Sequence, residues 1–289
     1  MPPCLLALDT STDQITAALL TPGGEWRVNA PGGALASTRL IPALMGLLAQ
    51  GGITVAQLHA IAFGQGPGAF TGLRTACAVA QGLAFASDTP VLAIDSLLIV
   101  ADDARHQAVA QGAAPAEPPG PWWVAMDARM DEVYAACYQH GADGWQVQVP
   151  PQLWTLAALS AAWLASPPVQ VAGSAITVFA DRLPWGHAHT WPRCSNRAAA
   201  LGRLAQAAWA QGKALNADQA LPVYLRDKVA LTTAERAALR QAADGPARLR
   251  AVAEGPATLR AGADEPAPLC AGADGPAPLC APVGQSGTA

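Results

Sequence analysis

The chain opens on a strongly apolar run, CLLALDTSTDQITAALL, broken by a polar stretch from Asp9 to Asp13. Two apolar segments around a short polar turn predict a strand hairpin whose ends carry polar side chains. The pattern returns further along. Aligning LLALDTSTDQITAAL with WVAMDARMDEVYAAC sets Asp9 on Asp127, Asp13 on Asp131, Gln14 on Glu132, Ile15 on Val133 and Ala17-Ala18 on Ala135-Ala136. Apolar hairpins are common, but the shared spacing of the two aspartates favours two duplicated lobes.

Between the hairpins, Leu40, Leu44, Leu47 and Leu48 recur at helical spacing, with Ser37 or Thr38 as the expected cap and Gly51-Gly52 as the stop. Thr54 and Gln57 form a capping-box pattern before the strand His59 to Phe63. A glycine-crowded turn and a helix from Phe70 to Ser87 follow, then the strand VLAID and a helix from about Ser96 to Val109. An alanine-rich helix is expected from Asn196 to Gln211. The resulting division is a first lobe over 1–110, a Pro/Gly/Ala-rich linker over 111–121, a second lobe over 122–212, and a segment over 213–230. A tail over 231–289 completes it, where a ten-residue unit such as ADGPAPLCAP recurs from about Ala243. Each unit offers one leucine and at least one proline, too little apolar surface to offset the entropy of ordering it, so the tail is expected to be disordered.

Composition serves mainly to exclude. The net charge is −4, with 17 basic residues scattered among 21 acidic ones, which is not the clustered basic face of a free-standing nucleic-acid binder. The first residues do not make a secretory signal, and no apolar run approaches a membrane span. The six cysteines fall singly, without metal or disulfide spacing, and the five histidines show no ligand pattern. A reduced, cytoplasmic protein without a metal site of its own is expected.

The turn GQGPGAFTGLR poses the chemical question. A Walker loop would end in Gly-Lys-Ser/Thr, whereas this one offers Gly72-Leu73-Arg74. A dinucleotide fingerprint can be forced as Gly64-x-Gly66-x-x-Ala69, but Pro67 removes a backbone donor and no acidic residue follows at the right distance. The plainer reading is a tight corner between sheet and helix. Along the helix, Gly72, Ala76, Ala80 and Ala84 recur every four residues as a smooth stripe, with Leu73, Cys77, Val79 and Leu83 around it. A helix that is small or apolar nearly all round is buried on more than one side.

GQGPGAFTGLRTACAVAQGLA, LLALDTST, MDARMDEVYAACY and PVYLRDKVA together resemble the TsaB family, over roughly residues 1 to 230. The resemblance implies an α/β fold of two duplicated lobes like that of actin, hexokinase and Hsp70, in a protein without catalysis of its own. It implies a partner, TsaD, which carries the catalytic site and the metal, and a TsaE-type ATPase. Together they transfer a threonylcarbamoyl group to the adenosine next to the anticodon of ANN-decoding tRNAs, which this chain would meet only through the complex. ATP and metal are expected on the partner subunits, with no cofactor on this one. Bundle contact with TsaD, or with a second copy when TsaD is absent, would fall on Leu40, Leu44, Leu47, Gly72, Leu73, Ala76, Cys77, Ala80 and Leu83. One departure is Ala36, where family members often carry histidine.

By the same resemblance Asp9, Thr10, Ser11 and Thr12 would form a vestigial nucleotide turn, since no glycine is present to let backbone amides close on a phosphate. A hydrogen-bonded turn in which Asp9 satisfies local amides is the plainer alternative. Arg129-Met130 is bulky where the second lobe would need a small turn. Arg74, Asp127 and Arg129 are left as candidate polar contacts, to a partner or to RNA phosphate, or simply to neighbours. Tyr224 and Arg226 match the segment that returns to the first lobe, with the Tyr224 ring expected to pack and its hydroxyl to be bonded. The competing function is an ATP-binding phosphotransferase of the same fold group. A hydrolase has only isolated Ser, Cys and His residues behind it.

Overall fold

Strand β1 (Leu5–Asp9) is buried along its whole length and lies between β2 (Gln14–Thr21), antiparallel to it, and β4 (Ala60–Gly66), parallel. With β3 (Gly24–Pro31) and β5 (Val91–Asp95) they form a sheet in the order β3-β2-β1-β4-β5. The second sheet contains β6 (Trp122–Asp127), β7 (Glu132–Gly141), β8 (Gly144–Thr155), β9 (Gln170–Ala172) and β10 (His189–Trp191), in the order β10-β9-β6-β7-β8. Read from the other edge, this is the first order over again. The Asp9/Asp127 alignment is thus a structural repeat, giving a duplicated α/β arrangement of two five-stranded sheets. The computed structural model describes residues 2–112 and 120–226. The repeat tail, with Cys270 and Cys280, and most of the expected linker lie outside the described residues.

Helices α1 (Ala36–Gly51) and α2 (Phe70–Ser87) cover one face of the first sheet. Leu40, Leu44 and Leu47 are fully buried there, in one cluster with Leu6, Leu8, Phe63, Ala76 and Ala80. The start of α1 corrects one expectation: its cap is Leu35, and the Thr38 hydroxyl, instead of capping, donates to the Leu35 carbonyl (3.0 Å). The Thr54/Gln57 capping box is present, around a single 3₁₀ turn.

Helices α4 (Leu156–Ala165) and α5 (Ala175–Val178) pack Leu159, Trp163 and Ala175 against Ala125, Val133 and Val171 of the second sheet. The two other long helices do not stay with their own half of the sequence. Helix α3 (Ser96–Ala110), from the first half, packs Leu97, Val100, Ala101 and Ala104 against Trp122, Val124 and Tyr138 of the second sheet. Helix α6 (Arg197–Ala210), from the second half, packs Leu201, Leu204 and Ala205 against Leu5, Ala7 and Ala62 of the first. Each half of the chain therefore supplies the cover of the other half's sheet, and both sheets belong to one compact unit, Met1–Val229.

At this crossing Asp95 caps α3 through the N–H groups of Leu97 (2.9 Å) and Leu98 (3.4 Å), and accepts the Tyr138 hydroxyl from β7 (2.5 Å). Burial raises its carboxyl pKa to about 6 from 3.8, against the lowering effect of these bonds. The folded form then holds a proton over a range where the unfolded form has lost it, so this residue makes stability fall as pH rises from about 4 to about 6. We expect Asp95→Asn, whose side-chain oxygen can still cap, to lose that slope. Urea midpoints measured from pH 4 to 7 should converge on wild type at the acid end and exceed it at pH 7.

Candidate functional site

Three loops meet where β1, β4 and β5 end. The Asp9 carboxylate accepts from the Ser11 N–H (2.6 Å) and from the hydroxyls of Ser11 (3.1 Å) and Ser96 (3.1 Å). The Thr10 hydroxyl donates to the Gly72 carbonyl (2.7 Å), and the Ala69 N–H to the Ser11 carbonyl (2.7 Å). Asp9, Thr10 and Ser11 are buried, and only Thr12 is left partly open. The glycines of the second loop serve close approach. A Cβ at Gly64 would fall on the Asp9 carboxylate, one at Gly68 on Ser11, and one at Gly72 on the Thr10 carbonyl oxygen. The small-residue stripe of α2 is thus occupied at its start by the chain's own β1–β2 turn.

Sequence reasoning missed the residue that completes this junction. Arg197, at the first position of α6, reaches Asp9 (3.2 Å), the Ser11 hydroxyl (2.9 Å) and the Ser96 carbonyl (3.2 Å) through Nη2, with its side chain 7% exposed. Burial opposes its charge, but Asp9 and the adjacent Cys194 more than offset this and its pKa is raised. The signal was available: a cation in the first turn of a helix has the wrong sign for the helix dipole and needs an anion nearby. With this pairing, the Asp9 carboxylate is already neutralised from within. Among the described residues no group of three His, Cys, Asp or Glu could hold a metal ion.

The equivalent turn of the second lobe is built differently. Asp127 accepts from the Arg129 N–H (2.8 Å) and pairs with its guanidinium (3.2 Å), which is 86% exposed, so these two expected contacts meet each other. Arg129, Met130 and Asp131 all have left-handed backbone angles, with φ of 67°, 57° and 57°. Three such residues in succession, none of them glycine, are held at a cost in strain. Arg226 supplies one restraint by donating to the Arg129 carbonyl (3.1 Å) and the Glu132 carboxylate.

Arg226 lies on a segment that leaves α6 and crosses the first lobe. Leu215 bridges to Val91, the Val223 N–H donates to the Gln65 carbonyl (2.7 Å), and the Ala220 carbonyl accepts from Gln81 (2.8 Å) and the Cys77 thiol (3.0 Å). Cys77 is therefore a packed residue whose thiol pKa is raised by burial. Tyr224 stacks on Phe70 at 4.8 Å and accepts from Arg74 Nε (3.2 Å), while the Arg74 guanidinium lies 3.9 Å from the Phe70 ring centre. Arg74 is thereby tied to the chain itself. Between the two turns and this segment lies a cleft of about 970 Å³.

The expected bundle residues require a correction. Leu40, Leu44, Leu47, Leu73, Ala76, Cys77 and Ala80 are all buried in the chain's own core, Gly72 is buried against the Thr10 turn, and Leu83 is partly buried beside them. Leucines at helical spacing went to the nearest large apolar surface, the first sheet. The outward positions are Ile41 (48% exposed) and Met45 on α1, and Ala78, Gly82 and Phe85 (64% exposed) on α2. No helix among the described residues is long and apolar enough to cross a membrane.

Removing Arg197 should expose how far the junction depends on it. Arg197→Met leaves Asp9 buried without its cation and should cost on the order of 3–5 kcal/mol in urea unfolding. Adding Asp9→Asn to that variant should recover part of the loss, giving a coupling energy well outside additivity.

Comparison with known proteins agrees with this architecture. The model of the family described as TsaD, tRNA N6-adenosine threonylcarbamoyltransferase, matches residues 35–243. The tRNA threonylcarbamoyladenosine biosynthesis protein TsaB of Escherichia coli is 30% identical over 244 residues, covering 78% of this chain and 96% of the relative. The Haemophilus influenzae protein of the same name is 40% identical over 130 residues, which is 45% of this chain and 51% of that one. The structure of YeaZ from Pseudomonas aeruginosa aligns with a TM-score of 0.65 at 36% identity, covering 76% of this chain and 99% of its own. On the shared fold and the near-full-length match to the E. coli protein, the chain belongs to the TsaB family.

Proposed function

We propose that this protein acts in the biosynthesis of threonylcarbamoyladenosine in tRNA as a non-catalytic subunit that binds a TsaD-type catalytic partner through the outer faces of α1 and α2. One observation carries the assignment of the surface. Once the inner faces are spent on the sheet, Ile41, Met45 and Phe85 remain exposed on two adjacent helices, with Leu35 (47% exposed) just before them. Ala78 and Gly82 lie on the outward side of α2, where small side chains let a partner helix approach closely. Contiguous apolar surface on a soluble protein marks an interaction site, and these side chains are proposed as its anchors.

The non-catalytic reading is supported by the internal pairing of Asp9 with Arg197 and by the bulky left-handed turn at Arg129-Met130. Neither turn offers the open carboxylate or the small residues that a metal-bound phosphate would need. Transfer chemistry, ATP and metal then fall to the partners, a TsaD-type subunit and a TsaE-type ATPase, and tRNA is met through the complex. A second copy of the chain would use the same apolar face in the partner's absence.

The test is reconstitution of threonylcarbamoyl incorporation into an ANN-decoding tRNA with the partner proteins. Omitting this chain should abolish product, and the chain alone should make none. Ile41→Glu and Met45→Glu, at solvent-facing positions, should keep the wild-type melting temperature. Each buried apolar side chain at an interface contributes on the order of 1.5–3 kcal/mol, so each variant should weaken partner binding tenfold or more. Undiminished binding by both variants would remove α1 from the interface. Ala80→Arg, by contrast, is expected to unfold the chain, because Ala80 is fully buried in the core.

A further inference from the structure

The segment that runs from Leu215 to Arg226 is fastened to two regions of the molecule. The first is α2 and the loop before it. The Val223 N–H donates to the Gln65 carbonyl (2.7 Å), and the Val223 carbonyl oxygen sits so close to Gly66 that a Cβ there would approach it to 2.8 Å. The Ala220 carbonyl accepts from Gln81 (2.8 Å) and the Cys77 thiol (3.0 Å), and Tyr224 is stacked on Phe70 and bonded by Arg74. Two residues later the segment reaches the second lobe. There Arg226 donates through Nη2 to the Arg129 carbonyl (3.1 Å) and the Glu132 carboxylate, with Nη1 3.4 Å from Met130 Sδ.

The turn that Arg226 reaches is one the backbone does not favour. Arg129, Met130 and Asp131 hold three successive left-handed conformations without a glycine, and strain of this kind persists only where the surroundings over-determine it. The ion pairs of Arg129 with Asp127 and of Arg182 with Asp131 have exposed guanidiniums and contribute little. The Arg226 side chain is only 15% exposed, so its charge-assisted bond to Glu132 is the better sheltered restraint. Its place is set by the segment behind it, and that segment is seated on α2.

On α2 the side chains that hold this segment share a stripe with the outward ones. Arg74, Ala78, Gln81 and Phe85 recur at i, i+4, i+7 and i+11, and so lie along one side of the helix. Ala78 and Phe85 are exposed, and next to them the segment itself presents Leu221 (66% exposed) and Tyr224 (42% exposed). A helix laid on Ala78 and Phe85 therefore meets the segment as well.

From this geometry we infer that residues 215–226 form a coupling strap: a helix of the TsaD-type partner seated on this stripe also presses on Leu221 and Tyr224, and through Arg226 it firms the left-handed turn at the cleft wall. The inference rests on the partner surface proposed above, but the tie between α2 and the turn is tested in the free chain.

The experiment is amide hydrogen exchange of the full chain, read at Ala128 and Glu132, whose N–H groups close the turn onto the carbonyls of Glu132 and Arg129. Arg226→Met should speed exchange there about tenfold, as expected for the loss of a charge-assisted bond. Tyr224→Ala, which removes the contacts with Phe70 and Arg74 of α2, should also speed it, and the double variant should exchange no faster than Arg226→Met. Amides of β1 and β6 are the reference for global opening. Should Tyr224→Ala speed these too, Gln81→Ala, which removes one bond to the strap, replaces it, with an acceleration of about threefold expected at the turn. Adding the partner to wild type should slow exchange of the turn by about fivefold or more, and this slowing should be absent in Arg226→Met. The proposal is overturned if the α2-side variants leave the turn at its wild-type rate, if the two effects multiply, or if a bound partner leaves the turn unchanged or still slows it in Arg226→Met. Failure of the partner to bind at all would overturn the surface assignment instead, and the free-chain variants would still decide the strap.

Discussion

The buried pair between Arg197 and Asp9 is the constraint on which the rest of the molecule depends. A carboxylate and a guanidinium this deeply buried lose several kcal/mol of hydration each, and the loss is tolerable only when their geometry and their remaining hydrogen bonds are closely specified. That specification fixes three loops at once. The Asp9–Ser11 turn, the Gly64–Gly72 loop and the start of α6 close on one another so tightly that Gly64, Gly68 and Gly72 have no room for a side chain. Because Arg197 comes from the second half of the sequence and Asp9 from the first, the same pair also locks the two halves in register.

This arrangement separates duties by face. The inward surfaces of α1 and α2 complete the core of the first sheet, while their outward surfaces carry apolar side chains that stabilise nothing within the chain. The segment from Leu215 to Arg226 touches both regions. It lies along α2 through Ala220 and Tyr224 and touches the strained turn of the second lobe through Arg226. The outward faces of α1 and α2 and the walls of the cleft are thus made by different side chains of one frame.

Much of the fold was legible in the sequence because it follows from local rules. Hairpins declare themselves by apolar runs around a polar turn, the repeat by the spacing of Asp9 and Asp127, and the Thr54/Gln57 box by residue type. What the chain does not show locally is which of two apolar surfaces a helix will meet. The spacing of Leu40, Leu44 and Leu47 establishes a stripe, and only the assembled sheet reveals that the stripe is consumed internally. The exchange of α3 and α6 was hidden for the same reason, since both are apolar enough to suit either sheet. Arg197 was the one long-range residue with a local sign, a cation at the unfavourable end of a helix.

The exchanged helices bear on how the chain must be made. While the ribosome has released only the first half, the first sheet has no α6 to cover its second face, and the side of α3 that carries Leu97, Val100 and Ala101 has no second sheet to meet. Neither half can therefore mature as an independent domain, and Leu5, Ala7, Ala62 and Leu92 lack their α6 cover until synthesis has passed Ala210. A cut between Gly112 and Gly120 made after folding would meet the opposite situation. The two fragments would each hold a helix clasped by the other, and would part only by unfolding.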